Sequence, residues 1–439
     1  MKISLPYPKY KPSGKEWLGE IPEHWELLRL KYATNLINQK IDGEKCDLPY
    51  TGLEHIESWT GKRIVNEEIS SSGQTSIHKS GDVLLGKLRP YLAKVYASQT
   101  DGICTGELLV LRPRVLLQAF LCNYLLNPDF ISLLDSSTYG AKMPRANWDF
   151  IGDLQALIPP IEEQRTIANY LDQETARIDK LIEKKERQIE LLREKRSALI
   201  SHAVTKGLDS IFKMKDSGIE WLGKIPEHWE VSPLKFSLKP RRDAVKTGPF
   251  GSQLLSSEME TGTIKVYNQR NVLDRDFNSG DNFITIKKYQ ELKSFTIFPG
   301  DVIITTRGTI GQCALFPDNA KLGILHPCLI RIQVNSNIIL PEYLSLLIRD
   351  GCLVLLQLKL MSNATTIDVI YSEPLKSVRL PLPPIQEQHE ILSWTNQELI
   401  KIDTLLKTIH KSISLLREYR MTLISATVTG KIDVRKEVA

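Results

Sequence analysis

Cysteine and long apolar runs are both scarce in this sequence. Its 439 residues include six cysteines, and none of them forms a C-x-x-C pair, which argues against a disulfide framework and against a zinc cluster. No apolar run approaches the roughly eighteen residues that a membrane span needs. Residues 1–6 also lack the apolar core of a signal peptide. These absences predict a cytoplasmic protein without disulfides.

A large excess of charge of one sign is missing as well. The net charge is +5 at pH 7, and 42% of the residues are hydrophobic and 25% charged, which is the balance of a globular protein with real cores. A mildly basic chain is compatible with a nucleic-acid partner, but a charge this small does not argue for one. At this length we expect about two to four domains.

Motifs for catalysis and for cofactor binding are absent from the sequence. It contains no G-x-x-x-x-G-K-[ST] loop for nucleotide phosphates, and no pair of histidines at a metal-binding spacing beside a carboxylate. The glycine-rich run at 248–252 predicts a turn, since no strand–turn–helix unit surrounds it. The Pro-Pro pairs at 159–160 and 383–384 lack the polar and aromatic neighbours of an amino-methyltransferase loop. We therefore predict no catalytic residues, no metal site and no cofactor-binding site in this chain.

The chain contains an internal repeat. A box at residues 17–25, with the pattern W-L-G-x-I-P-x-H-W, returns at residues 221–229. A second block at 159–209 returns without gaps at 383–433. The long stretches between these blocks resemble each other only faintly. Such a repeat predicts two copies of one architecture, each with its own central domain.

Each copy of the second block predicts a long helix. The Pro-Pro pairs favour clean helix starts, and about forty residues without proline or glycine follow each of them. A helix of this length spans roughly 60 Å at 1.5 Å per residue. Apolar residues alternate steps of four and three, which is the spacing of a coiled-coil seam. The predicted seam consists of Ile178, Ile182, Ile189, Leu192 and Leu199 in the first helix and of Ile402, Leu406, Ile409, Ile413, Leu416 and Leu423 in the second.

Several polar and aromatic residues of the repeated blocks have two interpretations. Arg196 and Arg420 fall on the predicted seam, where they either extend from a widened end of the seam or fix its register or meet a partner. His24 and His228 lie inside the box. We expect them to pack the box against its domain rather than to act as bases, beside box tryptophans that form a small aromatic core.

The two variable stretches predict a mixed α+β fold. Short β-rich runs at 82–85, 108–111 and 302–305 are bounded by glycine, aspartate or proline, and 116–126 and 341–356 favour helices. Strands alternate with few long helices. This pattern favours a compact or open barrel-like module over a doubly wound sheet.

Together these features resemble the specificity subunits of type I restriction–modification systems. The likeness covers essentially the whole chain. It depends on the repeated box, on Pro-Pro-Ile-x-Glu-Gln at 159–164 and 383–388, and on the helix ends Leu-Leu-Arg-Glu-x-Arg-x-x-Leu-Ile-Ser at 191–201 and 415–425. The resemblance implies an α+β protein in which two α/β target recognition domains are joined and spaced by two long helices that form an antiparallel coiled coil, with an internal pseudo-two-fold repeat. Each domain would read one half of an asymmetric, bipartite DNA site.

The resemblance also implies the partners and the domain boundaries. The partners are double-stranded DNA, two modification (methyltransferase) subunits and restriction (translocase and nuclease) subunits. S-adenosylmethionine, ATP and magnesium would bind to those subunits and not to this chain. The expected segments are a first recognition domain at 1–158, a central helix at 159–206, a second recognition domain at 207–382, a distal helix at 383–433 and a tail at 434–439. A non-catalytic coiled-coil adaptor and a self-sufficient DNA methyltransferase remain the alternatives.

Basic and amide side chains in loops are the candidates for DNA contact, because arginine and lysine pair with guanine and asparagine and glutamine pair with adenine. For any one of them a phosphate contact or plain exposure is the more common role, so we treat them as a set. The set comprises Lys87, Arg89, Lys142, Arg145 and Asn147 in the first domain and Asn268, Gln269, Arg270, Asn271, Arg307, Thr309, Asn363 and Thr365 in the second.

Overall fold

The computed structural model divides the chain into two units. The first comprises Met1–Arg187 and Ile409–Ala439, and the second comprises Gln188–Thr408, so each unit takes a segment of both long helices. In the part of the chain that the structure describes, no helix is both long and apolar enough to cross a membrane. That part consists of residues 5–64, 73–139, 142–209, 211–250, 253–349, 353–362 and 369–437.

The first unit mixes short strands with helices. Its strands are β1 (Tyr10–Pro12), β2 (Glu20–Pro22), β3 (Glu26–Arg29), β4 (Thr34–Ile37), β5 (Lys40–Asp42), β6 (Tyr50–Thr51), β7 (Gln74–His78), β8 (Val83–Gly86), β9 (Val95–Ala97), β10 (Gly102–Thr105), β11 (Leu108–Pro113) and β12 (Gln155–Ile158). Its helices are α1 (Leu30–Ala33), α2 (Gln118–Leu125), α3 (Pro128–Ser136), α4 (Trp148–Asp153) and the first part of α5 (Ile161–Lys206).

Two four-stranded sheets form the centre of the first domain. One has the strand order β4-β11-β8-β9 and the other the order β5-β7-β10-β6. Strand β8 is buried on both faces, since Val83 and Leu85 belong to the core that contains α2, whereas Leu84 packs with Val110 in a separate cluster. This explains why its sequence is a continuous apolar run and does not alternate with polar residues.

The second unit repeats this plan with one four-stranded and one three-stranded main sheet. Its strands are β13 (Met214–Asp216), β14 (Lys224–Pro226), β15 (Glu230–Pro233), β16 (Val245–Thr247), β17 (Ile264–Tyr267), β18 (Phe283–Ile284), β19 (Val302–Thr305), β20 (Cys313–Leu315), β21 (Gly323–Leu325), β22 (Leu329–Ile332) and β23 (Arg379–Leu382). Its helices are α6 (Gln269–Asp274), α7 (Ile286–Glu291), α8 (Pro341–Arg349), α9 (Leu353–Ser362), α10 (Ser372–Ser377) and α11 (Ile385–Val428), the last of which continues into the first unit. The main sheets have the orders β16-β22-β19-β20 and β18-β17-β21.

A Gly-Asp pair begins the equivalent strand in each domain. Gly81 and Gly300 adopt φ angles of 92° and 79°, which suit glycine, directly before β8 and β19. The buried Asp82 accepts a hydrogen bond from Arg112 Nε at 2.7 Å, and the buried Asp301 accepts one from Gln333 Nε2 at 2.7 Å. Burial raises the pKa of Asp301. The faint sequence echo between the two variable stretches therefore marks a shared strand and the loop that follows it.

A two-stranded antiparallel pair closes each domain where the chain joins its long helix. In the first unit β3 pairs with β12, and Leu30 N donates to Leu154 O at 2.8 Å just beyond the pair. In the second unit β15 pairs with β23, and Leu234 N donates to Val378 O at 2.8 Å. The two ends of each variable domain therefore lie side by side.

The predicted long helices are confirmed, with 46 residues in α5 and 44 in α11. In the first unit Arg420 Nε lies 3.0 Å from Asp179 Oδ1, and Arg417 Nη2 lies 3.0 Å from Glu186 Oε1. The residue number therefore rises along α5 as that of its partner falls along α11, which shows that the two helices are antiparallel here. The predicted seam residues are all buried or half-buried: Ile178, Ile182, Ile189, Leu192, Leu199, Ile402, Leu406, Ile409, Ile413, Leu416 and Leu423.

Candidate nucleic-acid interface

The box of the first domain is fixed to the first turn of α5 through one buried carboxylate. Glu163 accepts a hydrogen bond from Trp25 Nε1 at 3.1 Å, and its other oxygen lies 2.8 Å from His24 Nε2. The hydroxyl of Tyr7 also donates to Glu163, and burial, together with this hydrogen bond, raises the pKa of the tyrosine. A buried carboxylate with three partners holds the box firmly in place, because charge-assisted hydrogen bonds are strong.

The second domain repeats this anchor at the start of α11. Glu387 accepts a hydrogen bond from Trp229 Nε1 at 3.0 Å, and its carboxylate lies 2.8 Å from His228 Nε2. As predicted, the box histidines pack the box, and the partner of each is the glutamate of the Pro-Pro-Ile-x-Glu-Gln motif.

The glutamine after each anchoring glutamate binds the domain itself. Gln164 Nε2 donates to the backbone at Val115, and its Oε1 accepts from Leu117 N at 2.7 Å. Gln388 makes the same two contacts with the backbone of 338–340. Each domain is thus attached to its helix by a box contact and by a backbone contact of the same type.

Each box also contacts the last turn of the other long helix. In the first unit Gly430 follows α11 with φ 71°, and a Cβ there would lie only 2.4 Å from Pro22 Cδ. In the second unit Gly207 follows α5 with φ 77° and lies close to the ring of Trp229. The left-handed backbone favours glycine at both positions, and at Gly430 the close approach of Pro22 also leaves no room for a Cβ.

The predicted DNA-contacting segments of the first domain lie together. Arg89 N donates to Pro144 O at 2.8 Å, and Ala146 N donates to Lys87 O at 2.9 Å, so the loop after β8 is joined to residues 142–147. Arg89 and Lys142 are exposed, and Lys87 is half-buried. We call residues 87–93 and 142–147 the first basic loops.

Two of the predicted residues in the first basic loops have structural partners. The Arg145 guanidinium forms a two-pronged ion pair with Glu107, with Nη2 and Oε1 2.9 Å apart, and this partner raises the pKa of Arg145. The Asn147 side chain accepts a hydrogen bond from Asp149 N and caps α4. Arg89, Lys87 and Lys142 are therefore the stronger candidates for DNA contact.

In the second domain the loop after β19 lies beside the start of α6. Gln269 Nε2 lies 3.4 Å from Thr309 O, and Arg270, Arg307 and Thr309 are all exposed. We call residues 268–271 and 306–311 the second basic loops. Residues 306–311 follow β19, the repeat equivalent of β8, whereas residues 268–271 follow β17. Both domains therefore present a basic side chain in the loop after the equivalent strand.

The asparagines at the start of α6 serve the fold. Asn268 caps the helix by accepting hydrogen bonds from Arg270 N and Asn271 N. Asn271 is 2% exposed, and its amide donates to Asp276 O and Ser279 O. The structure thus corrects the selection of Asn271 as a DNA contact, because its hydrogen-bonding groups are used inside the domain.

The predicted residues Asn363 and Thr365 lie outside the described residues. Ile370 N, just beyond them, donates to Thr306 O at 3.0 Å. This contact is equivalent to the one between Ala146 and Lys87 in the first domain. Ile370 therefore contacts the loop after β19 as Ala146 contacts the loop after β8.

The comparisons with known proteins decide the family. The family model described as "Type I restriction modification DNA specificity domain" matches residues 22–191 and 252–414. The chain belongs to this family. It is a specificity subunit, as its sequence predicted.

Named specificity subunits align with nearly the whole of this chain. It is 24% identical to a putative type I restriction enzyme MjaX specificity subunit of Methanocaldococcus jannaschii, over 99% of this chain and 100% of the relative. It is 22% identical to the EcoKI specificity subunit of Escherichia coli K12, over 95% and 91% of the two chains.

Solved structures share its fold. A chain from a study of complex assembly and conformational transition of the type I R-M system has a TM-score of 0.67 at 18% identity, covering 93% of this chain and 98% of that one. The HsdS subunit of Thermoanaerobacter tengcongensis has a TM-score of 0.55 at 17% identity, covering 94% and 98%.

The floor beneath the second basic loops is uncharged. Thr306 N donates to Cys328 O, and Cys328 Sγ lies 2.9 Å from His326 Nδ1. Burial raises the pKa of the Cys328 thiol and lowers the pKa of His326, so both groups favour their neutral forms. The positive charge at this loop therefore comes from Arg307, because the Arg270 guanidinium lies 3.2 Å from the carboxylate of Asp274. Within the described ranges, no three His, Cys, Asp or Glu side chains cluster in a way that could hold a metal ion.

From the sequence, we assign no role to the residues that hold the boxes and the first basic loops in place. Glu163, Gln164 and their repeats are visible in the sequence, since they recur in the Pro-Pro-Ile-x-Glu-Gln motif. Glu107, which holds Arg145, carries no such signal. Its role depends on a contact across 38 residues that only the folded sheet creates.

Proposed function

We propose that this specificity subunit reads an asymmetric, bipartite DNA site, with the first basic loops at one half-site and the second basic loops at the other. One observation carries the proposal. The two domains are attached to their helices by the same glutamate, glutamine and glycine contacts, yet their loops differ in sequence. Two domains that bind different base sequences need the same attachment to the helices and different DNA-facing loops.

The long helices carry a second feature that supports this function. Leu181 and Leu191 of α5 are 39% and 48% exposed, and their repeat equivalents Leu405 and Leu415 of α11 are 50% and 55% exposed. These leucines lie off the seam, and exposed apolar side chains at equivalent positions suit two copies of one partner. We propose that these surfaces bind the two modification subunits.

The chemistry in this proposal belongs to the partner subunits. The modification subunits would bind S-adenosylmethionine and transfer the methyl group, and restriction subunits would use ATP and magnesium. The specificity subunit itself contributes DNA recognition, a scaffold and the length of the unread spacer, and it is not an enzyme. Its cytoplasmic location likewise stays a prediction.

Methylome sequencing tests the proposal. Cells that co-express this chain with its modification subunit should carry methylated adenines in one asymmetric bipartite motif. In the Arg89→Ala variant the motif should become degenerate in one half, and in the Arg307→Ala variant it should become degenerate in the other. Methylation with no motif, or both variants affecting the same half, would contradict the proposal. A soluble complex without any methylation would favour a coiled-coil adaptor.

A further inference from the structure

A chain of hydrogen bonds leads from α11 to the first basic loops. It begins at Arg420, which is only 6% exposed although it lies on the seam of a long helix. Its Nε donates to Asp179 Oδ1 at 3.0 Å, while Nη1 and Nη2 donate to the backbone carbonyls of Trp59 and Thr60 at 2.8 and 3.2 Å. One guanidinium therefore joins both long helices to a loop of the recognition domain. Its planar fork suits this task, and a lysine ammonium would not make all three contacts.

The chain continues from that loop to the basic loops themselves. Trp59 N donates to Ala93 O at 3.2 Å, and Ala93 N donates to Pro90 O at 2.7 Å. Arg89, directly before Pro90, is tied through its own N to Pro144 O. Arg420 is thus connected to both segments of the first basic loops through consecutive backbone contacts.

The backbone along this path adopts an unfavourable conformation. Among the described residues, four that are not glycine have positive φ, and three of them lie on this path: Trp59 at 67°, Arg89 at 50° and Ala93 at 44°. Each such residue is held in place only when its surroundings determine its conformation. Arg420 is a buried part of those surroundings, because it binds the carbonyl of Trp59 directly.

We propose that Arg420 is a positioning residue for DNA reading, which sets the conformation of the first basic loops from the helix pair. This inference rests on the proposed function, since it concerns how one half-site is read. It makes the C-terminal helix part of the reading apparatus of the N-terminal domain. Loss of the Arg420 contacts would let residues 89–93 relax to ordinary backbone angles and displace the Arg89 side chain.

The repeat supplies a matched control. Arg196 occupies the position in α5 that Arg420 occupies in α11, and its Nη1 lies 2.7 Å from Asp403 Oδ1. Asp403 is likewise the repeat equivalent of Asp179. Arg196→Lys therefore makes the same chemical change in the same type of ion pair, in the unit that does not contain the first basic loops.

The test compares Arg420→Lys with Arg196→Lys in the complex with modification subunits. Binding is measured on duplexes with both half-sites intact and with either one replaced, and Arg89→Ala identifies the half-site that the first domain reads. We expect Arg420→Lys to reduce discrimination at that half-site about tenfold, which is the effect of losing hydrogen bonds from a charged group. Discrimination at the other half-site should not change, and Arg196→Lys should leave the first half-site as it is.

Hydrogen exchange on the intact chain gives a second readout that needs no DNA. In Arg420→Lys the amides of residues 86–93 should exchange about tenfold faster, while those of 302–311 keep their wild-type rates. Equal losses at both half-sites, no loss at the first, or unchanged exchange at 86–93 would each overturn the inference. If the wild-type complex itself shows no sequence preference, the proposed function fails, and the exchange rates still decide whether Arg420 holds the loop.

Discussion

At the scale of single residues, two glutamates determine how the recognition domains are mounted. Glu163 and Glu387 each lie in the first turn of a long helix and bind the tryptophan and histidine of a box about 140 to 160 residues away in sequence. Such a buried acceptor is costly to neutralise, because the donors around it would lose their strongest partner. The contacts are local to each unit, so each can be tested against the other.

Glu163→Gln should therefore loosen the first box alone. We expect a loss of about 2 kcal/mol in local stability, since a charged acceptor is replaced by a neutral amide of the same shape. Hydrogen exchange of residues 20–30 measures this loss, and residues 224–234 serve as the internal reference. Glu387→Gln should give the reverse pattern, and a uniform change along the chain in either variant would contradict the anchoring role.

In the first basic loops, we expect Lys142 to contact a phosphate and Arg89 to contact a base. Lys142→Ala is expected to weaken binding to all duplexes alike and to lower the slope of log K against log salt by about one. Arg89→Ala should instead reduce discrimination between base pairs by about 1–3 kcal/mol at one half-site. Binding titrations at several salt concentrations check both, and identical effects of the two substitutions would refute this division of roles.

Residue types in the sequence predict which loops lie together better than they predict which side chains of those loops stay accessible. The sequence marks Lys87 and Arg89 as candidates together with Arg145 and Asn271. The structure brings all of these into the basic loops, but it pairs Arg145 with Glu107 and buries Asn271. Whether a polar side chain is used inside its own domain depends on distant backbone groups, so a local pattern does not reveal it.

At the scale of elements, the long helices were predictable and the sheets were not. Each long helix has prolines directly before it, a glycine shortly after it and regularly spaced apolar residues within it. All three signals lie within the helix or beside it in sequence. The strand order β4-β11-β8-β9 joins residues more than seventy apart. Individual strands such as β8 and β19 stood out as apolar runs, but their neighbours are fixed by packing on both faces.

The seam of the helices can be tested with two adjacent leucines. Leu416 is half-buried against the core of the first unit, whereas Leu415 is 55% exposed. Leu416→Asp should cost about 3 kcal/mol or more, because it places a charge in an apolar seam. Leu415→Asp should change the stability of the chain by less than about 0.5 kcal/mol.

Thermal unfolding of the chain and size-exclusion chromatography of the complex measure the two effects separately. Leu416→Asp should lower the unfolding temperature and abolish assembly with the modification subunits. Leu415→Asp should leave the unfolding temperature unchanged and weaken assembly only. Equal unfolding temperatures for both variants would contradict the placement of Leu416 in the helix seam.

At the scale of the whole molecule, the helices are expected to set the number of unread base pairs. Duplicating the heptad after Ile182 in α5 and the heptad after Ile409 in α11 adds about 10.5 Å to each helix. The spacer of the methylated motif should then lengthen by up to about three base pairs. Methylome sequencing would show it, and both half-sites should keep their sequences. A changed half-site would mean that the helices contribute to base reading.

Exchange of one domain should change one half-site. The exchanged segment should begin after β3 and end before β12, because this strand pair must stay intact to support the domain. Replacement of residues 31–153 by the matching segment of another specificity subunit should alter half of the methylated motif. A motif altered in both halves would show that the domains do not read independently.

The side-by-side strands β3 and β12 also have a consequence for how such proteins change over time. Because both ends of the first variable domain meet at one short strand pair, two recombination points just inside that pair replace the domain whole and leave its support intact. The pair β15 and β23 gives the second domain the same property. Under the proposed function, one such genetic event would give a lineage a new half-site while the strand pairs and the helices stay as they are.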